Sequence, residues 1–141
     1  MNSVEQILKD SGCYAAVVHG ISMQPLLIDH RDVAYIEPTS TIRRLDVVLF
    51  RRKNGQLVLH RVLKCQHSGT HYLVAGDNDT NTECVEREQI LGVMTAFCRN
   101  GKTTKATAVQ HRLYARLWNL TPFTRNVLQR VCRRLQKRRN T

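Results

Sequence analysis

The sequence predicts a mainly β protein, with an antiparallel β fold, a short N-terminal helix and a basic helical segment at the C-terminal end. Three observations support this. Short runs rich in Val, Ile, Leu and Tyr follow one another between turn residues along most of the chain. Asn54-Gly55 lies between two of these runs and is the strongest hairpin signal in the chain. Because no long helical pattern separates the runs, neighbouring strands are expected to pair antiparallel.

The first predicted element is a helix over residues 3–11. Val4, Ile7 and Leu8 have helical spacing in a polar segment that ends at Ser11-Gly12, and glycine commonly stops a helix. Strands are then predicted at residues 13–18, 33–36, 46–50, 57–63, 71–75 and 90–97. The hairpin between residues 47–52 and 56–63 is predicted to turn at Asn54-Gly55 through a type I′ turn.

The pattern becomes helical again from Ala106 onward. Leu113, Tyr114, Leu117 and Trp118 are predicted to form one apolar face. Thr121-Pro122 is typical of an N-cap followed by proline in the first turn, so a second helix is expected from about residue 122 to 138. This helix is basic and amphipathic, with one apolar side made of Val127, Leu128, Val131 and Leu135.

The charge of the chain is concentrated near its C-terminal end. The 141 residues include 22 Lys plus Arg and 11 Asp plus Glu, a formal net charge of +11. Residues 1–100 hold 11 basic and 11 acidic side chains, whereas residues 101–141 hold the other 11 basic side chains and no acidic one. We therefore expect two units, a neutral β domain over residues 1–100 and a basic amphipathic helical tail over residues 101–141.

No segment of the sequence is expected to cross a membrane or to direct secretion. The longest early aliphatic stretch, residues 15–18, is far shorter than the ~20 apolar residues that span a bilayer. The acidic Glu5 and Asp10 do not fit the start of a secretory signal. Five widely spaced cysteines without a Cys-x-x-Cys motif fit a reducing compartment. The expected location is cytoplasmic or peripheral to a membrane.

The segment with the clearest chemical meaning is Gly-Ile-Ser-Met-Gln-Pro-Leu at residues 20–26. Its serine, Ser22, stands two residues after a glycine and three before a proline, in a constrained turn that follows the first predicted strand. Such a turn can present the hydroxyl away from the sheet while backbone N–H groups converge on one point. An acyl-transfer nucleophile needs this arrangement because its oxyanion must meet preorganised donors.

Two further segments follow at a characteristic spacing. His60 lies in a Leu-His-Arg-Val run on the return strand of the predicted hairpin. Gly76, Asp77 and Asn78 come directly after the strand at residues 71–75, and Glu83 follows them. The chain therefore offers, in order, a serine loop, a strand histidine and a group of carboxylates.

Over residues 16–97, these three segments together resemble the signal peptidase I family and its S24/S26 relatives, which include the LexA-type self-cleaving repressors. The resemblance implies that Ser22 is the nucleophile and that Gly20, Ile21, Met23 and Pro25 belong to the substrate-binding and oxyanion box. Because a histidine occupies the base position, the sequence is similar to the endoplasmic-reticulum and archaeal type. Unlike the membrane-bound members, it is expected to have no apolar anchor, since no long apolar segment occurs in the sequence.

In that family an acidic residue supports the base. The resemblance makes Asp77 the first choice for orienting His60 and Glu83 the second, since glutamate stands where an aspartate is usual. A neutral histidine, with an ordinary pKa of ~6.5, can take the proton of a serine near neutral pH. A carboxylate would fix its tautomer and stabilise the imidazolium. Lys64 is the rival base; on a regular strand it would share a face with His60 but lie about 13 Å away.

We therefore expect a serine endopeptidase that cleaves precursor or signal-type peptides after small residues, without a cofactor. The alternatives are a cytosolic leader peptidase for a small precursor and a LexA-like or non-catalytic regulatory relative.

No metal is expected, because the spacing of Cys65, His67 and His71 matches no common zinc site. The basic tail could hold the protein to an anionic membrane or simply pack on the domain with a solvated face. Nucleic acid is not the expected partner, because the 21 residues before Ser22 cannot hold a helix-turn-helix.

Overall fold

The computed structural model describes residues 3–139. Within that range, the strands form one antiparallel sheet, curved into a half-barrel, in the order β1-β2-β7-β3-β4-β5-β6, with β8 paired to β7. The strands are β1 (Tyr14–Val17), β2 (Val33–Glu37), β3 (Val47–Arg51), β4 (Leu57–Gln66), β5 (His71–Ala75), β6 (Glu83–Glu86), β7 (Ile90–Arg99) and β8 (Lys102–Lys105). The helices are α1 (Val4–Ser11), α2 (Val109–Trp118) and α3 (Pro122–Arg139). The mainly β fold with helices near both ends is confirmed.

Helix α1 has both of the end signals expected from the sequence. The Ser3 side chain accepts a hydrogen bond from the Gln6 amide at 3.2 Å. Gly12 takes a left-handed conformation, with φ 71°, and donates its amide proton to the Leu8 carbonyl. The buried Leu8 side chain then joins the core on one face of the sheet.

The β3–β4 hairpin is present, but the type of its turn was predicted wrongly. The Gly55 amide donates to the Arg52 carbonyl at 2.8 Å, so the tight turn spans residues 52–55. Gly55 has φ 89°, whereas Asn54 keeps a negative φ, which excludes a type I′ turn. The Asn54 side chain instead accepts the Gln56 amide at 3.0 Å. The loop is thus a three-residue connection with glycine at its left-handed position.

Two strands were absent from the sequence prediction, β6 and β8. Both are short and polar, reading Glu-Cys-Val-Glu and Lys-Thr-Thr-Lys, so neither has an apolar run. They form because each can pair with a longer neighbour, β5 or β7. The expected division at residue 100 therefore falls inside the β7–β8 hairpin, and the start of the predicted tail belongs to the sheet.

The two C-terminal helices form at the expected places, but their apolar sides are reversed. Leu113 and Leu117 are 54% and 60% exposed, so they do not share a buried face with Trp118. In α3 the buried side chains are polar, Arg125 and Gln129. These two polar side chains are buried because both donate hydrogen bonds to carbonyl groups of the loop after β5. Within residues 3–139, no helix has the length and apolar character needed to cross a membrane.

Candidate active site

A cleft of about 630 Å³ opens between the edge strand β1 and the first half of β4. Ser22, His60 and Asp79 lie on its walls together with the residues that follow β1. Most of the remaining wall is backbone and apolar side chain from residues 14–18 and 56–59. The fold thus brings the serine and the histidine singled out in the sequence to one cleft.

Ser22 sits in a loop, residues 18–32, that is tied at its neck. The Val18 amide donates to the Asp32 carbonyl at 3.0 Å, and the His30 amide donates to the Val18 carbonyl at 2.7 Å. Gly20 turns the chain with φ 83°, a conformation that favours glycine, and its amide donates to Asp29 Oδ1 at 2.8 Å. The Gly20 amide is therefore already occupied and is not an oxyanion donor.

The other residues of the serine box have distinct positions. Met23 is 2% exposed and anchors the loop in the apolar core, whereas Ile21 is 61% exposed beside the cleft. The peptide bond between Gln24 and Pro25 is cis. Ile21 and Met23 also line the cleft, but Pro25 does not. Ser22 thus stands between Met23, which packs in the core, and Ile21, which faces solvent beside the cleft.

The Gly76-Asp77-Asn78 segment supports the serine loop from behind. The Asn78 amide donates to the Ser22 carbonyl at 2.8 Å, and its side-chain amide donates to the Ile21 carbonyl at 3.2 Å. Gly76 lies so near Ser22 that a Cβ there would overlap the Ser22 carbonyl oxygen and lie 2.8 Å from Asp79 Oδ2. Glycine at this position is required by that close approach of two backbones.

His60 is held on β4 with both ring nitrogens beside carboxylates. The residue pairs with Val48 of β3 and is only 4% exposed. Its Nδ1 lies 3.1 Å from Oε1 of Glu83, at an angle that falls outside regular hydrogen-bond geometry. Its Nε2 lies 3.6 Å from Oδ2 of Asp79. The ring also contacts Phe50 edge-on, with centroids 5.8 Å apart.

Electrostatics keep this histidine neutral and its partner ionised. Burial lowers the pKa of His60, although the Glu83 and Asp79 carboxylates oppose the shift. Arg52 donates two hydrogen bonds to Glu83, at 3.1 and 2.7 Å, and thereby lowers the pKa of that carboxyl group. At neutral pH the site therefore combines a neutral imidazole with an ionised glutamate, as a general base with an orienting carboxylate requires.

Asp77, the expected orienting residue, does not reach His60. Its two carboxylate oxygens accept hydrogen bonds from Arg61 at 2.8 and 2.9 Å, and one also accepts from the Tyr114 hydroxyl at 2.9 Å. Asp77 and Arg61 are both 0% exposed. Since His60 and Arg61 are neighbours on β4, their side chains point to opposite faces of the strand. Asp77 therefore lies with Arg61 on one face of β4. Glu83, the second choice as orienting residue, is the carboxylate beside His60.

The C-terminal helices donate hydrogen bonds to the loop at residues 76–79, which follows β5. Trp118 Nε1 and Gln129 Nε2 both donate to the Asp77 carbonyl, each at 2.9 Å. Arg125 donates to the carbonyls of Gly76 and Asp79. Arg133 donates to the Asn78 carbonyl, and these contacts together tie helices α2 and α3 to residues 76–79. We call this set of contacts the helical clamp.

The rival base Lys64 lies outside the cleft. A bulge between Val62 and Lys64 interrupts the regular alternation of β4, so the even spacing from His60 does not place both side chains on one face. The expectation of a shared face was therefore wrong. Lys64 is exposed and is not among the residues that line the cleft.

In the part of the chain that the structure describes, one group of three potential metal ligands occurs, and it lies at the neck of the serine loop. His19 Nδ1 is 3.2 Å from His30 Nε2, and His30 Nδ1 is 2.5 Å from Asp29 Oδ1. These contacts satisfy the groups among themselves. Cys65, by contrast, has its thiol near the Ile42 carbonyl at 3.8 Å, apart from the neighbouring imidazoles of His67 and His71.

Sequence reasoning missed two residues that touch the site. They are Arg52 and Asp79, neither of which was among the predicted site residues. Arg52 meets Glu83 because β6 lies within reach of the β3–β4 hairpin, and β6 was not predicted. The sequence does contain an acidic segment at residues 77–83 and a basic one at the turn of the β3–β4 hairpin. An ion pair between the two segments can be predicted only when the strand order of the sheet is known.

The half-barrel with a serine loop and a histidine on one cleft has the S24 type of architecture. A family model described as Peptidase S24-like matches residues 2–95. The chain therefore belongs to the Peptidase S24-like family, which supports a peptidase or a LexA-like protein and also contains non-catalytic members. No curated protein sequence matches the chain. Helices α2 and α3, with their part of the helical clamp, lie beyond the matched residues.

Proposed function

We propose that this protein is a serine endopeptidase of the histidine-base type, with Ser22 as nucleophile and His60 as general base. One observation carries the proposal: both residues line one cleft, and a carboxylate, that of Glu83, lies 3.1 Å from Nδ1 of His60. Glu83 takes the orienting role in place of Asp77. Asp79, near Nε2, adds negative charge that stabilises the imidazolium formed during attack.

The reaction follows from these positions. Nε2 of neutral His60 accepts the Ser22 proton as Oγ attacks the substrate carbonyl, and the imidazolium then gives that proton to the leaving amine. The acyl-enzyme on Ser22 is hydrolysed by a water that His60 deprotonates in turn. Within residues 3–139, the amides of Ser22 and Met23 donate no hydrogen bond to the protein, so they are free to bind the oxyanion.

The cleft suits an extended peptide. Among residues 3–139, strand β1 pairs only with β2, so its other edge is open along the cleft wall. The first four residues of β4 form the opposite wall and pair with β3 but not with β5. A substrate backbone can therefore add to the β1 edge as a further strand and pass Ser22. The resemblance to signal peptidases favours precursor or signal-type substrates cut after small residues.

The test is cleavage of precursor peptides with Ala-x-Ala sites, followed by mass spectrometry. Ser22→Ala and His60→Ala should each reduce cleavage by at least about a thousandfold, as removal of a nucleophile or its base does in serine peptidases. Lys64→Ala is the matched control and should leave cleavage near the level of the unmodified protein. Circular dichroism spectra should be alike for all four proteins.

Three results would contradict the proposal. Equal cleavage by the Ser22→Ala variant would mean that the activity belongs to another group or a contaminant. Loss of cleavage in Lys64→Ala with retention in His60→Ala would assign the base to the lysine. If no peptide in a broad panel is cut by any variant, the non-catalytic reading within the family is favoured instead.

A further inference from the structure

The outer side of the C-terminal helices carries a row of exposed apolar side chains that nothing in the described chain covers. Its members are 39% to 77% exposed and recur mostly every four residues along both helices. We call this surface the outer apolar face; it consists of Val109, Leu113, Leu117, Leu120, Phe123, Val127, Val131 and Leu135. Isolated exposed apolar residues are ordinary, but eight of them at this spacing on neighbouring helices indicate an interaction surface.

The helices cannot turn this face inward without losing the helical clamp. Arg125 and Gln129 point to the β domain and donate to the carbonyls of the loop at residues 76–79. Trp118 adds a buried hydrogen bond from α2 to the same loop. Because a helix has opposite faces, fixing these residues inward fixes Val127 and Val131 outward. The apolar exposure is a consequence of the contacts that support the active-site loop.

The charge around the outer apolar face has one sign. Residues 101–141 contain 11 basic and no acidic side chains, while residues 1–100 are balanced. Arg112, Arg116, Arg130 and Arg134 are exposed on the two helices, and none has an ion-pair partner within residues 3–139. Arg130 and Arg134 follow Val127 and Val131 by three residues, so they stand beside the apolar stripe of α3.

We propose that the outer apolar face lies on an anionic lipid surface, with α2 and α3 in the membrane plane. An apolar stripe bordered by arginines has the chemistry of the acyl-headgroup boundary of such a bilayer. A second copy of this chain fits less well, because its equivalent face would bring the same unbalanced positive charges together. A helix of 18 residues with eight or more polar side chains lies along the interface and does not cross it.

The proposed binding is independent of peptidase activity and is tested with the full chain. The probe is sedimentation with vesicles of phosphatidylcholine alone and of phosphatidylcholine mixed with phosphatidylglycerol. The protein should bind the mixed vesicles at least about tenfold more tightly, and added salt should weaken that binding. Cleavage of soluble peptides measured without vesicles should stay unchanged in variants of the face.

Two double variants separate the contributions of apolar contact and of positive charge to vesicle binding. Leu117→Ser with Phe123→Ser removes apolar contact, and Arg130→Glu with Arg134→Glu reverses charge; each should weaken binding to the mixed vesicles about tenfold or more. The matched control is Lys53→Glu with Lys64→Glu, which makes the same charge change on exposed residues of the β domain. That control should keep at least about half of the binding affinity of the unmodified protein.

Three outcomes would overturn the proposal. Equal binding to neutral and mixed vesicles, or no binding to either, would remove the lipid surface as occupant. Equal loss in the Lys53/Lys64 control would show that total charge, not this face, causes binding. A dimer in solution that Leu117→Ser with Phe123→Ser converts to monomer, without any lipid binding, would assign the outer apolar face to a second copy.

Discussion

Arg61 and Asp77 form a bidentate ion pair in which both side chains are 0% exposed. The pair links the strand that carries His60 to the loop whose next residue, Asn78, binds the Ser22 carbonyl. Arg61 also donates to the Leu45 carbonyl at 2.8 Å. The buried pair therefore connects the strand of the candidate base to the loop that supports the candidate nucleophile, although neither of its members lines the cleft.

Removing one partner of this pair should be strongly destabilising, because it leaves an uncompensated buried charge. Asp77→Ala is expected to lower the free energy of unfolding by about 4 kcal/mol, as measured by urea denaturation. Glu83→Ala breaks the partly exposed pair with Arg52 and should cost about 1 kcal/mol or less. Equal losses of stability in the two variants would argue against a structural role for Asp77 distinct from that of Glu83.

The Tyr114 hydroxyl ties α2 to the Asp77 carboxylate, a contact that lies beside the helical clamp. Tyr114→Phe should lower the free energy of unfolding by about 2 kcal/mol, the usual loss for a hydrogen bond to a charged group. Tyr35→Phe is the matched control, since the Tyr35 hydroxyl donates to no group within residues 3–139; that substitution should cost less than about 0.5 kcal/mol. If both variants unfold alike, the contact with Asp77 contributes nothing to stability.

The positions of most strands along the chain and of the serine loop could be anticipated from local sequence, since apolar runs and turn residues carry that information. The choice between Asp77 and Glu83 as the carboxylate beside His60 could not be predicted in this way. It depends on Arg61, which lies next to His60 and points to the opposite face, and on β6, whose polar sequence gives no strand signal. The inverted packing of α3 was equally hidden, because burial of Arg125 depends on carbonyl groups some 45 to 50 residues away in sequence.

The pH dependence of cleavage should respond to Arg52. Because burial lowers the pKa of His60, activity should persist below pH 6.5 and fall only as pH drops through the lowered value. Arg52 contributes to that lowering, so Arg52→Gln should move the acidic limb of kcat/KM to higher pH. Arg51→Gln is the matched control, as Arg51 pairs with Glu5 and not with the site. A shift of the limb to lower pH, or an equal shift in both variants, would refute this assignment.

Stability should fall in mild acid because of His111. Burial lowers the pKa of this residue to about 4, and its ordinary value is 6.5. Between these values the unfolded chain binds the proton and the folded chain does not, so stability is lost as pH falls from 6.5 towards 4, by up to about 3 kcal/mol. His111→Leu should flatten this part of the curve in urea unfolding, leaving the smaller slope due to His60. An unchanged slope would exclude His111 as its cause.

The approach of Gly76 to Ser22 predicts a loss of activity that exceeds the loss of stability. In Gly76→Ala the new methyl group would push the Ser22 backbone out of place, and cleavage should fall about a hundredfold. Gly92→Ala is the matched control, because a Cβ there would lie 2.6 Å from the Glu37 carbonyl oxygen, away from the serine loop. It should destabilise the protein but leave the activity of the folded fraction intact. Equal specific activities in the two variants would contradict the prediction.

The helical clamp also has a consequence for the order in which the protein matures. A ribosome releases the chain from the N-terminal end, so Ser22, His60 and the loop at residues 76–79 emerge before Trp118, Arg125 and Gln129. The carbonyls of that loop acquire these donors only after α2 and the first half of α3 have been synthesised. A shorter nascent chain thus carries the candidate nucleophile and base without the contacts that support their loop, and these contacts form only when α3 has left the exit tunnel.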